Sequence, residues 1–281
     1  MSDDAPPRRI WLCADDYGLS PGVNRAIRDL IERGRLNATS VMVVGPSIGR
    51  DEVRALESAA ADSPRCAIGL HVTLTAPFSP LTMHFRPTDG GIFLPFPKLL
   101  RAGLLRRLDP ELVYDELMLQ LAAFGELFGR APDFVDGHQH AQLFPGVRDA
   151  FLTAVKEAAP DAWVRQGGRR QPLARRLGAP KALVLDILSA QFRRRASRAD
   201  IAFNPGFAGA YDFTRQPDFS ALMHQFLDEL PEDGLIMCHP GFVDDVLISL
   251  DPLTVQREHE HAFLGSEHFP RLLAANKVTL G

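Results

Sequence analysis

Short apolar segments alternate with amphipathic helical segments along most of this chain, and that alternation is the feature that most constrains its fold. Ile10–Ala14 is typical of a buried strand, and the apolar residues that follow Pro21 recur at helical spacing until Gly34. The same pair of patterns repeats about seven or eight times, which favours a parallel sheet and predicts an irregular or incomplete (β/α) barrel. We therefore expect an α/β fold in a single domain, 1–281.

The remaining predicted elements follow from the same two patterns. Further strands are expected at Ser40–Val44, Ala67–Leu74, Phe134–Asp136, Ala162–Arg165, Asp200–Phe203, Leu235–Cys238 and Lys277–Leu280. Further helices are expected at Asp51–Ala61, Pro110–Phe128, Gly146–Ala158, Pro217–Leu230, Pro252–Leu264 and Phe269–Ala275. Residues 75–109 are rich in Pro, Gly and Phe without a clean period, so we expect a loop excursion there, and loops of this length are often functional.

The composition and charge exclude several classes of protein. Hydrophobic residues make up 46% of the 281 residues and the formal net charge is -4, which excludes global disorder and disfavours a general nucleic-acid binder. The three cysteines form no CxxC pair, which argues against a disulfide framework and a thiolate zinc site. No run approaches the ~18 apolar residues of a membrane span and the first residues lack the apolar core of a secretory signal, so we expect a cytoplasmic protein.

A basic helical insertion over 165–198 concentrates the positive charge. It holds nine Arg and one Lys against the single acid Asp186, a local net charge of +9. The apolar residues that recur there at helical spacing are Val184, Ile187, Leu188 and Phe192. Two interpretations stay open: a surface helix that packs on the barrel and keeps its Arg side chains solvated, or a basic amphipathic lid that meets an anionic membrane surface or a lipid-linked sugar.

Polar side chains fall where the predicted strands end. Asp15 and Asp16 follow the first strand, and His71 ends the third. The later strands lead into Asp136, His138, His140, Arg165, Asn204 and His239. Because the carboxyl ends of parallel strands share one face of a barrel, we expect these distant residues to converge there.

Some of these residues favour a metal site over their ordinary structural roles. Asp15 and Asp16 suit a turn, but two adjacent acids repel each other unless a cation or a proton neutralises one of them. His71 alone suits a hydrogen-bonded core histidine, whereas beside Asp16 and His138 it becomes a candidate ligand. His239 suits a turn cap and a functional role about equally. One carboxylate with two imidazoles leaves coordination positions for water and substrate, and it does not by itself name the metal.

Four short motifs, in this order and spacing, resemble those of the YdjC-like carbohydrate deacetylases. They are Ala14–Gly18, Gly69–Thr75, Asp136–His140 and Cys238–Gly241, and they extend the resemblance over nearly the whole chain. The basic insertion and Arg257–Glu260 are most similar to the branch associated with hopanoid biosynthesis. The insertion is longer and more basic than in the chito-oligosaccharide branch, and this departure argues against a chitobiose-like substrate.

The resemblance implies a barrel related to polysaccharide deacetylases that removes an N-acetyl group from an amino sugar, lipid-linked in the hopanoid branch. It implies one divalent ion, Mg or Zn, on the ligands Asp16, His71 and His138. The catalytic residues it implies are Asp15 as general base, with Arg165 and His239 nearby. We also expect substrate contacts from three residues of the same region: His140, Asn204 and Tyr17.

Two other functions stay open from the residues alone. A metal-dependent phosphoesterase would use the same ligands, but it would need a second metal and a phosphate clamp, for which the sequence offers only scattered Arg. A non-catalytic sugar- or lipid-binding relative would have no use for Asp15 as a base. The expected partners are an N-acetylated sugar, a membrane surface contacted through 165–198 and a second copy of the chain in a homodimer; no nucleic acid is expected.

Overall fold

A curled, seven-stranded parallel sheet forms the centre of the molecule in a computed structural model that describes residues 6–61, 65–168, 180–213 and 217–280. The strands are β1 (Arg8–Arg9), β2 (Trp11–Tyr17), β3 (Ala38–Val41), β4 (Ala67–Val72), β5 (Thr88–Asp89), β6 (Ile92–Phe93), β7 (Phe134–Gly137), β8 (Trp163–Val164), β9 (Phe207–Ala208), β10 (Leu235–Cys238) and β11 (Val278–Thr279). In the main sheet they lie in the order β8-β7-β4-β3-β2-β10-β9.

Helices connect the strands, as a parallel sheet requires. In the described part of the chain they are α1 (Pro21–Glu32), α2 (Arg50–Ala61), α3 (Phe96–Leu104), α4 (Pro110–Phe128), α5 (Arg148–Ala158), α6 (Pro180–Arg198), α7 (Phe219–Glu229), α8 (Asp245–Leu250), α9 (Val255–Leu264) and α10 (His268–Ala275). A short 3₁₀ helix, His138–Leu143, follows β7. Among these helices we find none that combines the length and the apolar character needed to cross a membrane.

The two edges of the sheet meet in one segment, residues 201–208. Phe203 forms a parallel bridge with Val164 of β8 at one edge, and β9, only four residues further on, pairs with β10 at the other. The sheet is therefore rolled into an irregular barrel, which is closed, among the residues that the structure describes, only by the bridge between Phe203 and Val164 and the short pairing of β9 with β10. This confirms the predicted irregular (β/α) barrel.

The apolar runs of the sequence become the inside of this barrel and the layer under its helices. Val23, Ile27 and Leu30 lie on one face of α1 and are fully buried, and Ser20 caps that helix by accepting a hydrogen bond from the backbone N–H of Val23. Inside the sheet, a Cβ atom on Gly69 would lie only 2.6 Å from the ring of Phe134. Glycine is needed there because the aromatic ring occupies the space a side chain would take.

The excursion over 75–109 differs from the prediction of a plain loop. It contains the hairpin β5–β6 and the helix α3, whose Pro-rich start hides its period in the sequence. Glu116 of α4 fixes the beginning of the excursion, because its buried carboxylate accepts hydrogen bonds from the backbone N–H groups of Leu81 and Thr82. The expected helix Pro252–Leu264 is present as α9, which starts three residues later at Val255. The short helix α8, capped by Asp244, was not predicted.

The basic insertion is helical over Pro180–Arg198, whereas its residues 169–179 lie outside the described part of the chain. The predicted apolar stripe is divided between two environments. Leu188 and Phe192 are buried on the barrel, with the Phe192 ring 5.9 Å from that of Phe151. Val184 and Ile187 remain about half exposed.

Candidate active site

A cavity of about 720 Å³ opens at the carboxyl ends of the strands. The register of the sheet creates it: His71 lies directly beside Asp136 on the neighbouring strand, and Cys238, which precedes His239, lies beside Ala14, which precedes Asp15. The residues that the sequence predicted to converge and that line this cavity are Asp15, Asp16, His71, His138, His140, Arg165 and His239.

Asp16, His71 and His138 form a compact group of metal-ligand type. Their donor atoms lie within 4.8 Å of one another, and Asp16 Oδ1 is 3.3 Å from His71 Nε2 and 3.1 Å from His138 Nδ1. Two of the three side chains are almost completely buried, and His138 is partly open to the cavity. One carboxylate oxygen and two imidazole nitrogens at this spacing fit a divalent metal ion.

A bulge in β2 brings two adjacent acids into the same cavity. The prediction that Asp15 and Asp16 follow the strand was wrong, because β2 continues through Tyr17. The register against β3 shifts between Ala14 and Tyr17, and Asp16 has a φ of 72°, in the left-handed region. In a regular strand neighbouring side chains point to opposite faces, so this local turn is what lets both carboxylates face the cavity.

Asp136 orients His71. Its Oδ1 lies 2.6 Å from His71 Nδ1, which leaves Nε2 of the same ring facing Asp16. Burial alone would lower the pKa of His71, but the carboxylates of Asp136 and Asp15 outweigh it and raise that pKa to about 10. A carboxylate behind an imidazole ligand is the usual device for fixing the ring of a metal-binding histidine. The sequence placed Asp136 at the strand end without assigning it this role.

Arg165 forms a bidentate ion pair with Asp15. Its two terminal nitrogens lie 2.6 Å and 2.7 Å from the two oxygens of Asp15, and one of them is also 3.1 Å from Asp136 Oδ2. Burial acts to raise the pKa of Asp15, but the guanidinium overcomes it and lowers that pKa to about 2. Asp15 is therefore a fully ionised carboxylate that stands next to the donor group and outside it.

A second buried arginine, Arg257 of α9, was not foreseen as a site residue. One of its terminal nitrogens is 2.6 Å from Asp16 Oδ2 and 2.6 Å from Asp251 Oδ2. Despite burial, this guanidinium holds the pKa of Asp16 well below its usual range. A signal existed in the sequence, because Arg257 and Glu260 occupy positions on the same face of α9 as the buried Leu264, where apolar residues are normal.

His239 stands on the rim and is held there by α9. Its backbone N–H donates a 2.5 Å hydrogen bond to Oε2 of the buried Glu260, whose Oε1 accepts a hydrogen bond from the hydroxyl of Tyr211. The ring of Phe213 meets His239 edge-on at 5.4 Å between centroids. Nδ1 of His239 is buried and has no hydrogen-bond partner among the described residues.

His140 also lines the cavity but stays outside the donor group. Gln139 and His140 have φ values of 54° and 57°, so the chain turns after His138 and points His140 toward Phe207, 5.4 Å away between centroids. Burial, together with the nearby Arg165, lowers the pKa of His140 to about 3. His140 is therefore neutral, and its buried Nδ1 has no hydrogen-bond partner among the described residues.

Asn204 and Tyr17, expected to contact substrate, do not line the cavity. The amide of Asn204 bonds the backbone of Gln166 and Gly206 and so holds the loops after β8 and before β9. The hydroxyl of Tyr17 donates to Glu52 on the far side of β2. Both side chains are used for structure in this arrangement.

The fold and the site together define a (β/α)-barrel protein with an Asp-His-His donor group and a separate ionised carboxylate at the ends of its strands. The sequence profile of the family described as YdjC-like protein matches residues 9–275. The chain belongs to the YdjC-like family, as its four motifs indicated.

Two solved structures share this fold with TM-scores above 0.5, and a third gives a lower score. A proposed cellobiose-phosphate cleavage protein from Enterococcus faecalis superimposes with a TM-score of 0.75 at 20% identity, covering 98% of this chain and 97% of its own. A lactam utilization protein from Thermus thermophilus gives 0.52 at 16% identity, covering 97% and 98%. A family 4 carbohydrate esterase from Streptomyces lividans gives 0.46 at 11% identity, covering 99% and 93%.

Proposed function

We propose that this protein is a metal-dependent hydrolase that removes the N-acetyl group from an amino sugar. The observation that carries the proposal is the ionised Asp15 held by Arg165 immediately beside, and separate from, the Asp16–His71–His138 donor group. Amide hydrolysis needs both parts, because water is a weak nucleophile and an acetamide a poor electrophile. Membership of the YdjC-like family and its resemblance to carbohydrate deacetylases support a sugar substrate.

The donor group would hold the metal. Asp16 Oδ1, His71 Nε2 and His138 Nδ1 supply a mixed oxygen and nitrogen set that suits Zn²⁺ and tolerates Mg²⁺. When bound, such an ion polarises a carbonyl and lowers the pKa of water.

Asp15 is the proposed general base. Oδ1 accepts hydrogen bonds from both Arg165 and Ser40, whereas Oδ2 keeps a lone pair beyond its bond to Arg165, so the carboxylate can accept a proton from the attacking water through Oδ2. Positioned bases of this kind contribute about 10²- to 10⁴-fold to rate. Arg165 orients Asp15 and keeps it ionised at the same time.

His239 is the proposed general acid. It lines the same cavity as Asp15, and its backbone is anchored to Glu260, so its ring can deliver a proton to the departing amine. His140 is kept neutral by its surroundings and is suited to accept or donate a hydrogen bond to the sugar.

The apolar part of the cavity supports an apolar group on the substrate. Phe96, Leu185, Phe213 and Val255 all line it, and Phe96 and Val255 are exposed to solvent. We therefore propose a lipid-linked N-acetylglucosaminide, as in the hopanoid branch, with α6 beside its apolar part. Exposed apolar side chains around a polar site are typical of apolar ligand contacts.

Acetate release tests the proposal. Chelator-stripped protein should be inactive on a panel of N-acetylglucosaminides and should recover with Zn²⁺ or Mg²⁺, and glucosaminides with an alkyl aglycone should turn over faster than those with a methyl aglycone. Asp15→Asn is the matched inactive variant, since it keeps the size of the side chain. Release of phosphate from a phosphoester panel without any acetate release would contradict the proposal and favour the phosphoesterase.

Membrane contact through 165–198 is a separate part of the proposal. Flotation with anionic and with neutral liposomes tests it, and equal recovery in both would remove it.

A further inference from the structure

Arg257 is a buried cation that the proposed mechanism does not use. It is fully buried on α9, and its guanidinium is fixed at three points: Nη2 donates to Asp16 and to Asp251, and Nε donates to the backbone oxygen of Leu253 at 3.0 Å. A buried guanidinium with this many fixed contacts has little freedom to move.

The two oxygens of Asp16 face different neighbours. Oδ1 points to His71 and His138, whereas Oδ2 is 2.6 Å from Arg257 Nη2. We propose that Arg257 is a positioning residue that occupies Oδ2, so that Asp16 offers a metal ion one oxygen and not two. This inference rests on the proposed function, because it assigns a role in that same metal site.

A single ligand oxygen has a chemical purpose here. A carboxylate that chelates through both oxygens takes up two coordination positions, and an open site needs free positions for water and substrate. Arg257 would therefore preserve open coordination positions while reducing the affinity for the metal, since it also places a positive charge next to the ligand.

Asp251 regulates how strongly Arg257 acts on Asp16. Both carboxylates share the same guanidinium nitrogen, at 2.6 Å each, so the cation is divided between them. Asp251 is only partly buried, and its other oxygen accepts a hydrogen bond from the backbone N–H of Leu253. Removing the charge of Asp251 should leave Asp16 as the only carboxylate that forms an ion pair with Arg257 among the described residues.

Two variants with opposite expected effects test the inference. Arg257→Gln frees Asp16 Oδ2 and removes a positive charge, so we expect Zn²⁺ to bind about tenfold more tightly while turnover falls about 10- to 100-fold. Asp251→Asn strengthens the pairing of Arg257 with Asp16, so we expect Zn²⁺ to bind several-fold more weakly. Zn²⁺ affinity is measured by competition calorimetry on chelator-stripped protein, and the visible spectrum of the Co²⁺-substituted protein reports the coordination.

Arg148→Gln is the matched control, because Arg148 is also a buried arginine but does not line the cavity. It should bind Zn²⁺ and give a Co²⁺ spectrum like the wild type. If Arg257→Gln does not fold, Arg257→Lys and Asp251→Asn are compared with wild type in its place. We expect a smaller increase in Zn²⁺ affinity for Arg257→Lys than for Arg257→Gln.

The outcomes distinguish a failure of this inference from a failure of the proposed function on which it rests. Tighter Zn²⁺ binding with an altered Co²⁺ spectrum in Arg257→Gln supports the inference. Weaker or unchanged Zn²⁺ binding with a wild-type spectrum overturns it, even if the wild-type protein binds metal and releases acetate. Failure of the wild-type protein to bind any divalent ion would instead overturn the proposed function.

Discussion

Replacing Asp136 by Asn should weaken metal binding without disturbing the ligands themselves. The carboxylate of Asp136 is completely buried, and Oδ1 lies 2.6 Å from His71 Nδ1. Asn keeps the shape of the side chain and can still accept a hydrogen bond through its amide oxygen. The negative charge is lost, and with it much of the preference for the His71 ring to present Nε2 to Asp16.

The size of the effect follows from the contacts. Hydrogen bonds to charged groups contribute about 1.5–3 kcal/mol, and the substitution turns such a bond into a neutral one. The neutral bond retains about 1 kcal/mol, so the loss in the orientation of His71 is about 1 kcal/mol, which corresponds to roughly fivefold in affinity. Arg165 retains its two bonds to Asp15, so the guanidinium is not left without a partner.

Calorimetric titration of chelator-stripped Asp136→Asn with Zn²⁺ measures this loss, and acetate release should fall in parallel. Asp149→Asn is the control, because Asp149 is an exposed acid of α5 that pairs with Arg195. Surface changes of this kind usually stay within about 0.5 kcal/mol. A folded Asp136→Asn protein whose Zn²⁺ affinity lies within a factor of about two of wild type would refute the argument that Asp136 orients His71.

Three further predictions concern the base, the excursion and the barrel interior. Asp15→Asn should lower turnover about 10²- to 10⁴-fold while Zn²⁺ affinity, measured by calorimetry, changes far less. If turnover and Zn²⁺ affinity fell by the same factor, the role of Asp15 as base would be contradicted. Burial raises the pKa of Glu116 above its ordinary 4.5, so folded protein retains a proton that the unfolded chain releases. The free energy of unfolding should therefore fall as pH rises from about 4.5 through the raised pKa of Glu116. In urea unfolding, Glu116→Gln should show a flatter dependence of this free energy on pH. A variant with the same pH dependence as wild type would exclude Glu116 as the cause of the fall. Gly69→Ala should destabilise by about 1–3 kcal/mol, and Phe134→Leu should relieve part of that in a double-mutant cycle; strict additivity would argue against the contact.

The sequence was sufficient to predict that His71 and His138 lie on the same rim, because that depends only on strand order and direction. His71 and His138 end strands that are neighbours in a parallel sheet, so any barrel with this topology brings them together. The apolar run Leu235–Cys238 needed no further information, since it is buried on both faces and its bounds agree with β10.

Side-chain direction at the strand ends could not be predicted in the same way. Tyr17 lies two residues beyond Asp15, where regular alternation would point it into the cavity, yet it points away because the bulge in β2 changes the alternation. Asn204 lies near the rim, but its amide forms hydrogen bonds with the backbone of Gln166 and Gly206, in the part of the barrel that has few strand pairings. Both outcomes depend on local turns and on neighbours distant in sequence.

The different tasks proposed for Asp15 and Asp16 depend on two arginines that no local pattern links to them. Arg165 binds both oxygens of Asp15, whereas Arg257 binds only one oxygen of Asp16. A carboxylate held at both oxygens is poorly placed to turn and become a metal ligand, but it remains an ionised proton acceptor. A carboxylate held at one oxygen has the other free for a metal. Under the proposed function, two chemically identical neighbours therefore differ in role because an arginine occupies both oxygens of one and a single oxygen of the other, and only the folded chain determines this difference.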